Sequence, residues 1–265
     1  MNFSNNIIVI TGASSGIGEA SAVEFAKRKS SVVLVARRKE NLDSVAKKLE
    51  KYGTEILVCQ CDVSKWQEVE QMSKTVLNKF GTIDILVNNA GFAIYGSVLE
   101  LKVEEIESQM KTNYFGMVYC TKAFLPKMLE QKAGHIVNVA SVAGSFGLPG
   151  IAPYCASKFA MLGFSEGLYH ELKGTDVGIT VVSPIMVRTN FFDHSSFKSM
   201  PKYSPTSLSS KTVAKAIVKA SASPRLEIIV PPFVRGAVWL KHTIPYLINP
   251  ILRAAFRKQI NSQKL

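Results

Sequence analysis

Short apolar runs alternate with longer stretches of helical periodicity along most of this chain. Ile7-Ile-Val-Ile-Thr11 comes first, followed by a glycine-rich turn and a helical pattern through about Lys29. Ser31-Val-Val-Leu-Val-Ala36 precedes a charged helix over Glu40–Tyr52, and Ile56-Leu-Val-Cys-Gln-Cys61 precedes another over Trp66–Phe80. Ile83–Asn88 reads as a fourth strand. Two helical stretches follow, about Val103–Lys111 and Tyr114–Gln131, the second expected to kink at Pro126. His135–Ala140 is a fifth strand running to Ser141, and a Gly/Pro-rich loop leads from it into a helix over Tyr154–Leu172. Val177–Val182 and Glu227–Val230 are the sixth and seventh strands.

Strands that are apolar throughout and separated by helices belong to a parallel sheet covered on both faces. Right-handed crossovers make such a sheet doubly wound, with ligands at the carboxyl ends of its strands. The expected fold is therefore α/β, a single Rossmann-type domain with about seven parallel strands over residues 1–230. A C-terminal extension follows over residues 231–265.

The junctions after the strands carry the candidate chemistry. Thr11-Gly-Ala-Ser-Ser-Gly-Ile-Gly18 joins the first strand to the first helix, where bare glycines admit a phosphate and the helix N-terminus favours its charge. Its spacing is Gly-x-x-x-Gly-x-Gly, unlike the Gly-x-Gly-x-x-Gly of long dehydrogenases. Where an acidic residue after the second strand would bind ribose hydroxyls and mark NAD, this chain has Ala36-Arg37-Arg38. A guanidinium there can clamp a 2′-phosphate, which points to NADP(H); the alternative is a basic start to the next helix, and it suits Arg38 better than Arg37. Asp62, ending the third strand, can accept from an adenine amino group or cap the next helix, a job that suits Ser64 better. Asn88-Asn-Ala-Gly91 ends the fourth strand with residues small enough for close approach to a ribose, or for a plain turn.

Tyr154 and Lys158 lie four apart, hence one above the other on a helix face. A lysine beside a phenol favours phenolate and is expected to bring its pKa down from about 10 toward neutrality. A serine at the end of the fifth strand, Ser141, can hold a carbonyl oxygen against that pair while the tyrosine protonates it.

These motifs, in this order and at these spacings, resemble a classical short-chain dehydrogenase/reductase over roughly residues 5–230. The resemblance implies a tetrad of Asn113, Ser141, Tyr154 and Lys158. Tyr154 would be the proton donor or acceptor and Lys158 would lower its pKa and hold the nicotinamide ribose. Ser141 would position the substrate oxygen, and Asn113 would hold a relay water. It also implies cofactor contacts from Gly12, Ser14, Ser15, Gly16, Ile17, Gly18, Arg37, Arg38, Asp62, Val63, Asn89, Ala90 and Gly91. After the sixth strand the family has Pro-Gly-x-Val-x-Thr, and here Pro184, Val187 and Thr189 match while Ile185 replaces the glycine. A β-branched residue resists backbone conformations that glycine accepts, so Ile185 is expected to reshape the nicotinamide pocket or narrow the entrance. Residues 190–209 correspond to a segment that is often a mobile lid in this family. Phe92, Ile94, Tyr95, Phe146, Leu148, Phe191 and Phe192 would supply apolar walls, though any one of them taken singly fits ordinary core packing.

The resulting expectation is an NADP(H)-dependent oxidoreductase that reduces a ketone or aldehyde of apolar or acyl character, or oxidises the matching alcohol. Within that class stand 3-oxoacyl-thioester reductases, hydroxysteroid-type dehydrogenases and semialdehyde or hydroxy-acid dehydrogenases. Outside it stand a non-catalytic NADPH-binding regulator, which would be expected to have lost tetrad residues, and a membrane-associated scaffold. Family members pair through the helices around residues 114–131 and 154–173, which suggests a homodimer or homotetramer.

Composition narrows the picture further. At 265 residues the chain suits one well-buried domain. No apolar run is long enough to span a membrane and the N-terminus lacks a signal-peptide layout, so a cytoplasmic enzyme is expected. Four dispersed histidines and four dispersed cysteines make no metal-ligand spacing, and no metal is expected. The net charge of +12 is spread mostly along amphipathic helices, which argues for solvated faces rather than nucleic-acid binding.

The tail departs from that pattern. From Ile228 to Leu265 there is no acidic residue, while six Lys/Arg occur. Phe233, Trp239, Tyr246 and Phe256 stand among Arg235, Lys241, Arg253, Arg257 and Lys258, with Pro245 and Pro250 expected to break the segment into short helices. Ile251, Leu252, Ala255, Phe256 and Ile260 share one helical face. Three roles suit it: an interfacial helix making peripheral membrane contact, a face for a partner subunit, or a roof over the substrate pocket.

Overall fold

Seven of the apolar runs become the strands of one all-parallel sheet. In the computed structural model, which describes residues 3–197 and 206–255 (side chains at 252, 253 and 255 excepted), the elements follow the order anticipated. They are β1 (Ile7–Thr11), α1 (Gly16–Ala26), β2 (Ser31–Ala36), α2 (Lys39–Leu49), β3 (Ile56–Gln60), α3 (Trp66–Phe80) and β4 (Ile85–Asn88). Then come α4 (Val103–Met110), α5 (Gly116–Glu130), β5 (Gly134–Val139), α6 (Ala152–Glu171) and β6 (Val177–Pro184). The short β7 (Val187–Arg188) and β8 (Leu208–Ser209), α7 (Ser210–Ala222), β9 (Glu227–Val230), α8 (Val234–Thr243) and α9 (Pro245–Ala255) complete it.

The sheet order is β3-β2-β1-β4-β5-β6-β9. Chain direction across the sheet reverses between β1 and β4, so a crevice opens there at the strand carboxyl ends. Alternate residues of each strand feed two cores. Ile8 and Ile10 of β1 pack with Phe25, Leu34, Val213 and Ile217 under α1, α2 and α7. Ile7 and Val9 pack with Val33, Phe124, Met128 and Ile136 under α3, α5 and α6. Both strand faces are buried, which is why the runs are apolar throughout.

Three local features differ from the sequence reading. The helices expected at 103–111 and 114–131 are joined by a π-turn over Lys111–Phe115, so no loop separates them. α7, with β7 and β8 before it, was not anticipated. Its signals were present, since Ser209 caps it by accepting from Thr212 N at 3.1 Å and its buried Val213, Ile217 and Val218 recur at helical spacing. Pro250 lies inside α9 instead of ending it. The bond it removes is to the Tyr246 carbonyl, in an exposed first turn where water can substitute.

A buried polar ladder ties the site-bearing strands to the helices behind them. Asn88 Nδ2 on β4 donates to Asn138 Oδ1 on β5 at 2.9 Å and to Thr121 Oγ1 on α5 at 3.2 Å. Asn138 Nδ2 donates to Ser165 Oγ on α6 at 2.8 Å. Asn138→Ala strands polar groups on both sides of it and should lower stability by about 2–3 kcal/mol. The check is urea unfolding, where the midpoint should fall with the slope unchanged.

Candidate active site

Around the switch point the chain approaches itself too closely for side chains. Gly12 and Gly16 have φ of 64° and 60°, and a Cβ on Gly18 would sit 2.2 Å from the Gly12 carbonyl oxygen. α1 begins there with Ser15 as N-cap, yet no side chain caps it, so its first amides point into the crevice unspent. Thr11, read in the sequence only as the head of the motif, pins the turn to β4. Its Oγ1 accepts from Asn89 N and Ala90 N, each at 3.0 Å. Asn89 answers by donating its amide to Thr11 O at 2.9 Å and Gly12 O at 3.3 Å. Asn89 therefore shapes the phosphate turn through its side chain.

Arg37 and Arg38 follow β2 directly and are exposed. Arg38 occupies the N-cap position of α2, while the Arg37 carbonyl is held by Gln60 Nε2 at 3.0 Å. Among the described residues no carboxylate pairs with either guanidinium, which leaves both available to an anion. Asp62 Oδ1 accepts from Ser64 N at 3.1 Å and Ser64 Oγ at 2.8 Å, so Asp62 closes a turn. The N-cap of α3 is Lys65, and Ser64 does not take the cap suggested for it. Val63 is buried against bare Gly116 of α5, where a Cβ would come within 2.7 Å of the Val63 side chain.

Ser141, Tyr154, Lys158 and Asn113 converge where β5, α6 and the π-turn meet. Ser141 follows β5, and its Oγ accepts from Ala143 N at 3.1 Å, donates to Pro184 O at 3.4 Å and stands beside the Tyr154 phenol. Lys158, one turn beyond Tyr154, sends Nζ to Val139 O at 2.9 Å and lies 5.7 Å from the Tyr154 ring centre. Asn113 is fully buried; it accepts from Phe92 N and donates to Phe92 O and Ser157 Oγ, all at 2.9 Å. Its amide thus clamps the segment after β4 onto α6. Gly91 passes through the gap, where a Cβ would stand 3.1 Å from Asn113 Oδ1 and 3.6 Å from Lys158 Nζ.

Thr189 packs on Gly16 and the Pro184 carbonyl lies 3.4 Å from Ser141 Oγ, while Val187 is buried in the core with Val213 and Ile217. Ile185, just past the end of β6, donates to Val230 O at 3.0 Å and is not among the described residues with positive φ. The backbone there is not one that favours glycine, so a β-branched residue is accommodated in place of the family's glycine.

An aromatic group covers the tyrosine. Phe191 meets Tyr154 edge-on at 5.5 Å, Phe192 meets Phe191 at 5.2 Å, and Phe197 meets Phe192 at 5.2 Å. Tyr95, Leu148 and Ile151 pack on the same cluster, as anticipated for Tyr95 and Leu148. Phe197 is its buried centre, and sequence reading passed over it because one phenylalanine in a polar loop carries no period. Phe92 and Ile94 are not part of the cluster; Asn113 and Gln109 hold their backbones instead. Of the segment 190–209, residues 198–205 lie outside the described residues.

Burial dominates the electrostatics. It pushes the Tyr154 phenol up, and the Ser141 hydroxyl beside it only partly offsets this. The expected lowering toward neutrality is therefore absent: Lys158 is itself desolvated, brought down from 10.5 to about 7, and supplies little field. Between these two values the unfolded chain binds more protons at Lys158 than the folded one does. The cost of burying the cation is thus full below pH 7 and fades as pH rises. Thermal unfolding of the cofactor-free protein between pH 7 and about 8.5 should show a rising midpoint, worth at most about 1.4 kcal/mol per pH unit. Lys158→Met should lack that rise; parallel profiles would mean that the amine is not desolvated.

A fold with these motifs can be set beside known proteins. The family model for short chain dehydrogenases matches residues 6–198. The human 17-beta-hydroxysteroid dehydrogenase 13 is 34% identical over 249 residues, covering 93% of this chain and 81% of that one. A short chain dehydrogenase/reductase from Burkholderia phymatum, solved in complex with NAD, superposes with a TM-score of 0.84 at 29% identity over 93% of this chain and 96% of that one. An actinorhodin polyketide ketoreductase solved with NADPH superposes with a TM-score of 0.78 at 31% identity over 85% and 95%. With its sheet order, glycine turn and converging Ser141, Tyr154 and Lys158, this chain belongs to the short-chain dehydrogenase/reductase family of oxidoreductases.

Proposed function

We propose that this protein is an NADP(H)-dependent oxidoreductase that reduces a ketone or aldehyde of apolar character, or oxidises the matching alcohol. The observation that carries the reading is Tyr154, buried, set beside Ser141 and roofed by Phe191 at the mouth of a dinucleotide crevice. The crevice fits a nicotinamide dinucleotide, because its glycines leave no side chain in the way and the α1 amides are uncapped. Gly12, Ser14, Ser15, Gly16, Ile17 and Gly18 would hold the pyrophosphate, Asp62 and Val63 the adenine, and Asn89, Ala90, Gly91 and Lys158 the riboses. Pro184, Val187 and Thr189 would hold the carboxamide. Arg37, assisted by Arg38, would bind the 2′-phosphate. When bound, the nicotinamide supplies hydride for the carbonyl carbon.

The chain's own residues handle the oxygen. Ser141 Oγ orients it, and Tyr154 Oη gives it a proton as negative charge develops. The raised phenol suits this direction, since it keeps the acid form loaded over the physiological range. Lys158, poised near neutrality, returns a proton toward Tyr154, and Asn113 holds the surrounding segments in place. The walls of Tyr95, Leu148, Phe191, Phe192 and Phe197 exclude water and favour an apolar body. A relative named for a hydroxysteroid makes bulky apolar alcohols and ketones the first class to try.

Residues 1–230 would form the catalytic unit. Phe115, Leu129, Phe159 and Tyr169, exposed on and beside α5 and α6, favour a homodimer or homotetramer through those helices. Four buried free cysteines are in keeping with a reducing, cytoplasmic compartment.

NADPH oxidation screened across apolar ketones, aldehydes, semialdehydes and 3-oxoacyl thioesters should reveal a substrate. Tyr154→Phe should then lower kcat by about 10²- to 10⁴-fold while leaving cofactor affinity intact; near-normal turnover would remove the assigned acid. Arg37→Asp should raise the KM for NADPH by about 10- to 100-fold and leave NADH little changed, the worth of about 1.5–3 kcal/mol for a charged hydrogen bond. Equal effects on both cofactors would overturn the NADP(H) assignment.

A further inference from the structure

The segment after β9 keeps its apolar side chains outside. Tyr246 is 88% exposed, Phe233 77%, Leu247 65%, and Trp239 and Ile251 63% each. Of the other described large apolar residues, only Val98, Leu99 and Val103 are exposed to a similar degree. The inner faces of the two helices are also apolar, with half-buried Val234 and Val238 on α8 and Ile248 on α9. Helices that are apolar on the packed side and on the open side call for a second apolar medium.

Charge identifies that medium. Residues 228–265 carry six Lys/Arg and no Asp/Glu in a chain of net charge +12. Arg235, at the start of α8, also lines a cavity of about 270 Å³ with Lys219, Arg225 and Glu227, three cations to one carboxylate, so a net cationic surface continues from the tail onto the body beside β9. A Trp and a Tyr among lysines and arginines suit the boundary between acyl chains and headgroups. No helix among the described residues is long and apolar enough to cross a membrane, so α8 and α9 would lie along a surface.

We infer that α8 and α9 dock this protein on an anionic phospholipid surface. α8 also packs on the elements that carry the catalytic candidates: Lys241 lies 6.0 Å from the ring of Phe146, in the loop between Ser141 and Tyr154, and 5.7 Å from that of Phe159 on α6. An apolar substrate dissolved in the lipid would then reach the aromatic walls without crossing bulk water. The docking itself does not depend on the catalytic reading, since it is measured without turnover. Phe256, Arg257, Lys258 and Ile260, which the sequence places on or beside the same helical face, lie outside the described residues, as do the side chains of Leu252, Arg253 and Ala255.

The test is flotation of the full chain with phosphatidylcholine vesicles, with and without phosphatidylserine. Partition should be about tenfold or more greater with phosphatidylserine, and should fall as salt rises. In a Trp66→Phe background Trp239 is the sole tryptophan, and its emission should shift to the blue on binding. The combined variant Trp239→Glu, Tyr246→Glu and Leu247→Glu, all exposed positions, should lose about tenfold or more of that partition. Its unfolding midpoint should stay unchanged, which serves as the folding control. Arg235→Gln with Lys241→Gln should weaken the dependence on phosphatidylserine even if the first variant does not fold. Failure of the wild-type chain to bind either vesicle would overturn the inference, as would variants that bind unchanged. So would a concentration-dependent self-association abolished by the glutamates in the absence of vesicle binding, since a second copy would then be the occupant.

Discussion

Asn138 accepts one buried amide and donates another, and through that side chain β4, β5, α5 and α6 are held in one geometry. Apolar packing alone would tolerate sliding of α6 along the sheet, because one methyl group replaces another at little cost. Hydrogen bonds in a dry interior do not tolerate it, since each displaced partner is left unsatisfied. The ladder therefore sets the register at which Tyr154 and Lys158 meet the end of β5. A second clamp, Asn113 between Phe92 and Ser157, performs the same service for the segment after β4. The site is a product of buried amides as much as of its own reactive groups.

Within that frame, burial and charge oppose each other. Desolvation moves the phenol of Tyr154 up and the amine of Lys158 down, so both neutral forms are favoured in the cofactor-free protein. The same burial makes the lysine costly to the fold, a familiar tension between stability and a working site. The aromatic cover of Phe191, Phe192 and Phe197 extends the dry region outward and gives the entrance its apolar character.

Beyond β9 the logic reverses. The body hides its apolar surface on both sides of the sheet, whereas α8 and α9 display theirs next to cationic side chains. They meet where Lys241 of α8 lies against Phe146, in the loop after Ser141, and against Phe159 on α6.

Sequence alone determined the layered architecture, because runs apolar on both strand faces and separated by helices belong to a covered parallel sheet, doubly wound by right-handed crossovers; the order of its strands came from the tertiary structure. It also determined which residues gather at the strand ends, since the glycine turn, Asn88–Gly91, Ser141 and Tyr154-x-x-x-Lys158 each sit at a junction that the periodicity marks. Tertiary structure decided the rest. The roles of Thr11, Asn138 and Phe197 depend on partners dozens of residues away, and no local period announces them. The backbone at Ile185 is held by a hydrogen bond to Val230 on another strand. The direction of the Tyr154 shift reversed because proximity in sequence conveys the lysine's charge, while only packing conveys the loss of water that outweighs it.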